Sequence, residues 1–282
     1  MTASPALASA PLTSSPHSAS PVRPRRIPRL LGLAAAELSL LRRNRMQLGT
    51  AILLPLALPF FFLPLAQNGA SGAALASVLG TMFVIVLLFV VYYNLLSSYV
   101  ARRQDLVLKR LRTGEASDAT VLAATATPAL LLAAVMIVLT TALAIPLLDL
   151  PLPQNPLVLV LGLGLGALML VPLALVTANI TRTVESAQIT SLPAMLVLMI
   201  GAGGILPVEL LPDWAARLIT FLPSAPITEL VRLGWLGIDA DGAAMAGADA
   251  WMLLAGQTGI LLAWTLVGAL IVREHFRWEP RG

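Results

Sequence analysis

The chain has 282 residues, of which 58% are hydrophobic and only 11% charged, with a mean hydropathy of +0.87 and a net charge of +4. Soluble domains carry roughly a quarter charged residues, so this composition excludes an ordinary soluble globule and marks an integral membrane protein. There is no cysteine, which excludes disulfides and thiolate metal sites, and the two histidines, His17 and His275, lie too near the ends to build a buried metal centre.

Residues 1–28 are rich in Pro, Ser, Ala and Thr and hold too few large apolar side chains to offset the entropy of ordering, which predicts a disordered N-terminal tail. Residues 29–282 then form one membrane domain. The run RRIPRLLGLAAA has the outline of a twin-arginine export signal, but Glu37 interrupts it and RRNR follows in place of a small-residue cleavage site. Residues 27–45 read instead as an amphipathic helix on the membrane surface, with leucines 30, 31, 38 and 41 on one side and Arg29, Ser39 and Arg43 opposite.

Apolar segments follow at 48–66, 75–96, 121–147, 157–178, 189–206 and 251–272. Each is long enough to cross a hydrocarbon layer of about 30 Å at about 1.5 Å per residue, so the expected fold is all-α with six transmembrane helices. Residues 67–71 and 148–155 are turn-like gaps, the second marked by Asp149, Pro151 and Pro153. Cations decide the orientation. With both ends cytoplasmic, sixteen of the eighteen basic residues fall inside, while only Arg217 and Arg232 fall outside among seven acids. A net positive charge sorted in this way favours the bilayer and gives no reason to expect a nucleic-acid partner.

The loop 101–120, ARRQDLVLKRLRTGEASDAT, sits between spans two and three and contains Lys109, the only lysine. Val107, Leu108 and Leu111 share one side of a short helix, with Arg102, Arg103, Lys109 and Arg112 around the rest. Two readings stay open. The cations rest on anionic lipid as a topology anchor, or the apolar side docks into a groove on a soluble partner. Ser117 and Asp118 are suited to cap the third span.

Chemistry is sparse. No segment reads G-x-x-x-x-G-K-[ST], and no span carries a charge or a histidine well inside its apolar run. Carriers driven by ions commonly retain such groups, so a secondary carrier is the least favoured reading. GLGLG, with Gly162 and Gly166, lies inside a span without a preceding strand, and predicts close helix packing in place of dinucleotide binding. Asn94, Thr140, Thr141, Thr177, Asn179 and Gln257 are the polar groups at depth, suited to hydrogen bonds between helices. Phe89, Tyr92, Tyr93 and Asn94 are candidates for lining a substrate path, with headgroup anchoring the alternative.

Between spans five and six, Gly201, Gly203 and Gly204 loosen the end of a helix, and Pro207, Pro212 and Pro223 divide the rest into short pieces. The segment LPDWAARLITFL puts Leu211, Trp214, Ala215, Leu218 and Leu222 on one side. The expectation is a pair of short helices over 207–235 that dip into, or lie upon, the outer leaflet.

Taken in order, these features resemble the ABC-2 permeases, the membrane subunits of type-two ABC exporters. The likeness rests on AELSLLRRNRMQL ahead of the first span, LKRLR after the second, six spans, and Pro207-x-Glu209-x-x-Pro212 after the fifth, followed by LPSAPITELVR. Family members often carry an acid and then a glycine before the Leu-Lys pair; here Asp105 matches the acid, but Leu106 and Val107 follow it and no glycine does. Gly114 stands where a proline is expected after the loop's threonine. Seventeen arginines against one lysine, with abundant Ala, Leu and Pro, point to a GC-rich bacterial genome and hence a bacterial inner membrane, and the resemblance implies a permease subunit without catalysis of its own. It would pair with a cytoplasmic ATP-binding subunit that holds ATP and Mg, and form a homodimer or a pseudo-dimer with another permease. Arg42, Arg43, Asp105, Val107, Leu108, Lys109 and Leu111 would receive the ATPase's movement, and Pro207, Glu209, Pro212 and Trp214 would close the exit. The cargo expected is an apolar or amphipathic compound, moved outward. The alternative is a membrane-embedded immunity or assembly protein that binds a lipid or peptide without pumping it.

Overall fold

A computed structural model describes residues 45–69, 72–106, 118–203 and 211–275, and among these every regular element is helical. The helices are α1 (Arg45–Gln67), α2 (Gly72–Leu87), a π-helical turn (Leu88–Tyr93), α3 (Asn94–Gln104), α4 (Asp118–Leu147), α5 (Pro156–Ile180), α6 (Ala187–Thr190), α7 (Leu192–Gly201), α8 (Asp213–Ile219), α9 (Ala225–Leu236) and α10 (Gly247–His275). Four stretches are long and apolar enough to cross a bilayer: Ala74–Gln104, Asp118–Leu147, Pro156–Ile180 and Gly247–His275. The remaining apolar helices, Ile52–Gln67 and Ala187–Gly201, are shorter. The N-terminal tail and the surface helix expected over 27–45 fall outside the described residues, save for the first residue of α1.

Local chemistry sets the boundaries. The Asn155 side chain caps α5 by accepting from the Val158 N–H at 3.4 Å, and Pro156 takes a first-turn position, where no amide donor is needed. Prolines inside α1, α4 and α5 are accommodated as they are in other bilayer helices. At its other end α9 stops at Gly237, whose φ of 66° places it in the left-handed region while its N–H bonds to Leu233 O.

α2 and α5 form the centre. Leu79, Met82, Phe83, Val86 and Leu87 of α2 are fully buried, together with Trp235 of α9. The helix α9 runs antiparallel to α5: a Cβ on Gly162 would lie 2.6 Å from Leu230 Cβ, one on Gly166 2.6 Å from Ile227 Cδ1, and one on Gly234 2.8 Å from Leu159 N. From α2, a Cβ on Gly80 would meet Thr228 Cβ at 2.9 Å. The Gly162/Gly166 spacing read from the sequence as a packing surface is therefore occupied, and its occupant is α9.

The apolar run expected as the fifth span, 189–206, is helical over Ala187–Gly201, where α7 ends. α6 and α7 are joined through Ser191, whose N–H bonds to Ala187 O at 3.0 Å and whose O accepts from the Met195 N–H at 2.9 Å. Gly203, with φ of 72°, then turns the chain. The end of α7 is met from two sides, for Ser224 Oγ, at the start of α9, donates to Leu198 O at 2.5 Å and Thr81 Oγ1 of α2 donates to Ala202 O at 2.9 Å. Ile227 lies beside Gly166, about 15 Å along α5 from Pro156. Thus α9 does not rest upon a surface: it is threaded between α2 and α5 to part of their depth, because glycines there leave room for its backbone. α8 behaves oppositely, with Trp214 and Leu218 exposed.

Candidate functional site

At one end of the bundle, the last turn of α3 is fastened to three neighbours. Arg103 is 1% exposed, and its guanidinium donates to Ala178 O at 2.9 Å and to Thr181 O. These carbonyls lie at the end of α5, where intrahelical donors become scarce and the helix dipole favours a cation. Arg102 donates to Thr125 Oγ1 of α4 at 3.2 Å, and the Tyr99 hydroxyl donates to Leu122 O at 3.0 Å. Thr181 and Thr190 share a hydroxyl hydrogen bond of 2.7 Å, which brings α6 into the same cluster. In the turn ahead of α6, the Glu185 carboxyl is held below its ordinary range by its own backbone N–H and by the Thr183 hydroxyl.

Sequence spacing placed Arg102 and Arg103 on the polar side of a loop helix. The structure corrects this: the second span continues as helix to Gln104, and both guanidiniums turn inward because oxygen acceptors on α4 and at the end of α5 are within reach. Leu106 supplies the second correction. Its φ is 57°, and its N–H bonds to Arg103 O at 3.2 Å, so a leucine adopts the left-handed turn at the position where the resembling family often has glycine. The strain of such a residue is about 1 kcal/mol. Asp105, just before it, is exposed. Arg42, Arg43, Val107, Leu108, Lys109 and Leu111 lie outside the described residues.

Midway along the central helix, the π-helical turn carries Phe89, Tyr92 and Tyr93, and Asn94 follows directly. Wide turns of this kind frequently mark functional positions. Tyr92 is fully buried and its hydroxyl bonds to Thr177 Oγ1 of α5 at 3.1 Å; Asn94 is also buried, while Phe89 and Tyr93 are half-buried. Of the four, Tyr92 is the one joined to α5 by a side-chain hydrogen bond.

Toward the opposite end, α9 carries an ion pair between Glu229 and Arg232, and Arg232 also donates to Ser77 Oγ of α2 at 3.1 Å. Trp235 Nε1 donates to Pro151 O at 2.9 Å, and Trp264 Nε1 of α10 donates to Phe221 O at 2.9 Å. Pro212 and Trp214 are exposed beside these elements, and Pro207 and Glu209 lie outside the described residues. Sequence reasoning assigned no site role to Ser224, Thr81 or the Glu229–Arg232 pair, and gave Arg103 only a place among the loop's cations. Only the i, i+3 spacing of the last pair was visible in advance.

Two cavities flank α5. One, of about 520 Å³, lies between α4, α5 and α10 near the arginine-rich end, and the other, of about 510 Å³, lies between α5, α9 and α10 around Asn155 and Trp251. Neither is lined by Tyr92 or Asn94. Among the described residues no group of His, Asp and Glu is arranged to hold a metal ion. The geometry offers mechanical linkage between helices, with few polar groups for bond chemistry. A sequence model of the family described as ABC-2 family transporter protein matches residues 34–272. Neither a curated protein nor a solved structure matches the chain.

Proposed function

The chain belongs to the ABC-2 transporter family, and on that footing we propose that it is the permease subunit of an exporter driven by a separate ATP-binding subunit. The match over residues 34–272 carries this reading. The sequence supports it further: the one lysine, Lys109, follows Leu108 and so stands in no phosphate-binding loop, which leaves the partner to hold ATP and Mg. The cargo is an apolar or amphipathic compound, since the spans offer few polar groups for recognition.

In this reading both termini are cytoplasmic, in a bacterial inner membrane, as the distribution of arginines favours. The partner pushes on Arg42, Arg43 and the stretch Asp105, Val107, Leu108, Lys109 and Leu111. Arg103 then passes the displacement to α5, because the last turn of α3 and the end of α5 share its hydrogen bonds. Two copies of the chain, or this chain and a second permease, enclose the path. Phe89, Tyr92, Tyr93 and Asn94 change their contacts as the bundle moves between inward- and outward-open states, and Pro207, Glu209, Pro212 and Trp214 close the exit.

The test is transport into inverted vesicles that contain the chain with and without its ATPase partner. ATP-dependent accumulation of an amphipathic dye only when both are present is the expected result. Uptake by the chain alone, or sequestration indifferent to ATP, would overturn the proposal.

A further inference from the structure

The cavity between α4, α5 and α10 has the shape and chemistry of a lipid site. Its walls are apolar, formed by Leu122 of α4, Val171, Pro172 and Leu175 of α5, and Ala269 and Val272 of α10. Its lip carries one charge of each sign, Asp118 in the first turn of α4 and Arg273 in the last turns of α10. The wall on α10 runs from Thr265 to Arg273, about 12 Å of helix, which is most of the roughly 15 Å depth of one leaflet's hydrocarbon. The lip is held in place, since Asn179 Nδ2 of α5 donates to His275 O at 2.9 Å, just beyond Arg273.

What faces the cavity also matters. α4 packs chiefly on α1, and α10 chiefly on α5. Both helices turn large apolar side chains outward, among them Leu131, Val135, Leu262 and Leu266. The trough therefore opens on the lipid side of the bundle, away from the α2–α5–α9 contact. A Cβ on Gly268 would touch Pro172 Cβ at 3.0 Å, so α10 is already in contact with α5 there and cannot close the trough by moving nearer.

We propose that this trough holds a zwitterionic phospholipid of the adjoining leaflet as a resident ligand, with an acyl chain along Leu122, Leu175 and Ala269, its phosphate on Arg273 and its headgroup amine toward Asp118. Apolar walls select the chain, and a lip bearing both charges matches a headgroup that bears both. The lipid joins α4 to α10 across α5 and is not cargo. This site is independent of the transport reading above, because a bound lipid can be measured whether or not the chain pumps anything.

The experiment is native mass spectrometry of the purified protein after exchange into a delipidating detergent. A tightly retained phosphatidylethanolamine is expected, with occupancy reduced about tenfold or more when Ala269→Phe fills the trough, and reduced by Arg273→Gln at unchanged protein yield. Equal retention by the native protein and both variants would overturn the proposal. A second measurement needs no variant: thermal unfolding of the delipidated native protein with added diacyl phosphatidylethanolamine, diacyl phosphatidylglycerol or chainless glycerophosphoethanolamine. Stabilisation by a few degrees with the first, less with the second and none with the third is expected. No shift with any of them, or equal shifts with both diacyl lipids, would overturn the proposal, as would an equal shift with the chainless compound. Loss of the lipid during ATP turnover by the full transporter would mark it as cargo and overturn its resident role.

Discussion

α9 and α10 are neighbours in sequence and draw on a similar set of apolar residues, yet nine of the twelve residues of α9 are buried, whereas α10 buries Leu261 alone among its twenty-nine. Hydrophobicity does not separate them, since lipid tails welcome apolar side chains as readily as other helices do. Small residues do. α9 meets Gly80, Gly162 and Gly166 and contributes Gly234, each with room for a hydrogen and nothing larger. On α10, Gly256 and Gly259 have no neighbour within 4 Å where a Cβ would stand, and only Gly268 is close to one, with Pro172 Cβ at 3.0 Å. Within a bilayer, then, the missing side chain is a better guide to helix contact than the apolar one.

Substitutions at the two sets of glycines break or sharpen that contrast. Gly162→Leu, which drives a Cβ into Leu230, is expected to lower stability by about 3 kcal/mol, read as a fall in thermal midpoint in detergent. Gly259→Ala on α10 should change the same midpoint by no more than about 0.5 kcal/mol. Equal losses at both positions would mean that α10 is packed as α9 is. Arg103→Ala takes the guanidinium from Thr181 O and leaves Ala178 O with only the Thr181 N–H at 3.3 Å, and a loss of about 2 kcal/mol is expected in the same assay. Leu106→Gly relieves a left-handed leucine and should raise stability by about 1 kcal/mol; a loss instead would mean that the side chain contributes more than the backbone costs. Among the substitutions that remove a contact the smallest effect belongs to Tyr92→Phe, about 0.6 kcal/mol for the hydrogen bond to Thr177, measured as a shift against native protein in the same detergent.

Much of the fold was legible in the sequence because apolar length is read directly: the stretches at 75–96, 121–147, 157–178 and 251–272 fall inside the four long helices. GLGLG announced a packing surface, but the partner of that surface lies some sixty residues away, and spacing carries no information about it. The burial of α9 was hidden for a related reason. Its sequence, APITELVRLGWL, holds Glu229 and Arg232, which read as outer-loop charges until their mutual pairing and the Ser77 hydroxyl are seen. Arg102 and Arg103 were misplaced because a run of cations looks like a solvated loop, whereas the acceptors that draw them in, on Thr125, Ala178 and Thr181, are distant in the chain. Leu106 shows the limit of motif matching, since the turn expected of a glycine is made by a residue that dislikes it.

The wide turn at Leu88–Tyr93 gives α2 a surplus residue. Deleting one residue from an ordinary helix swings everything beyond it by about 100°. Here the same deletion restores regular winding and leaves both flanks in phase, so the contacts of Gly80 on one flank and of Arg103 on the other survive it. Shortening of the gene by a single codon should be tolerated at this one turn and nowhere else along the helix.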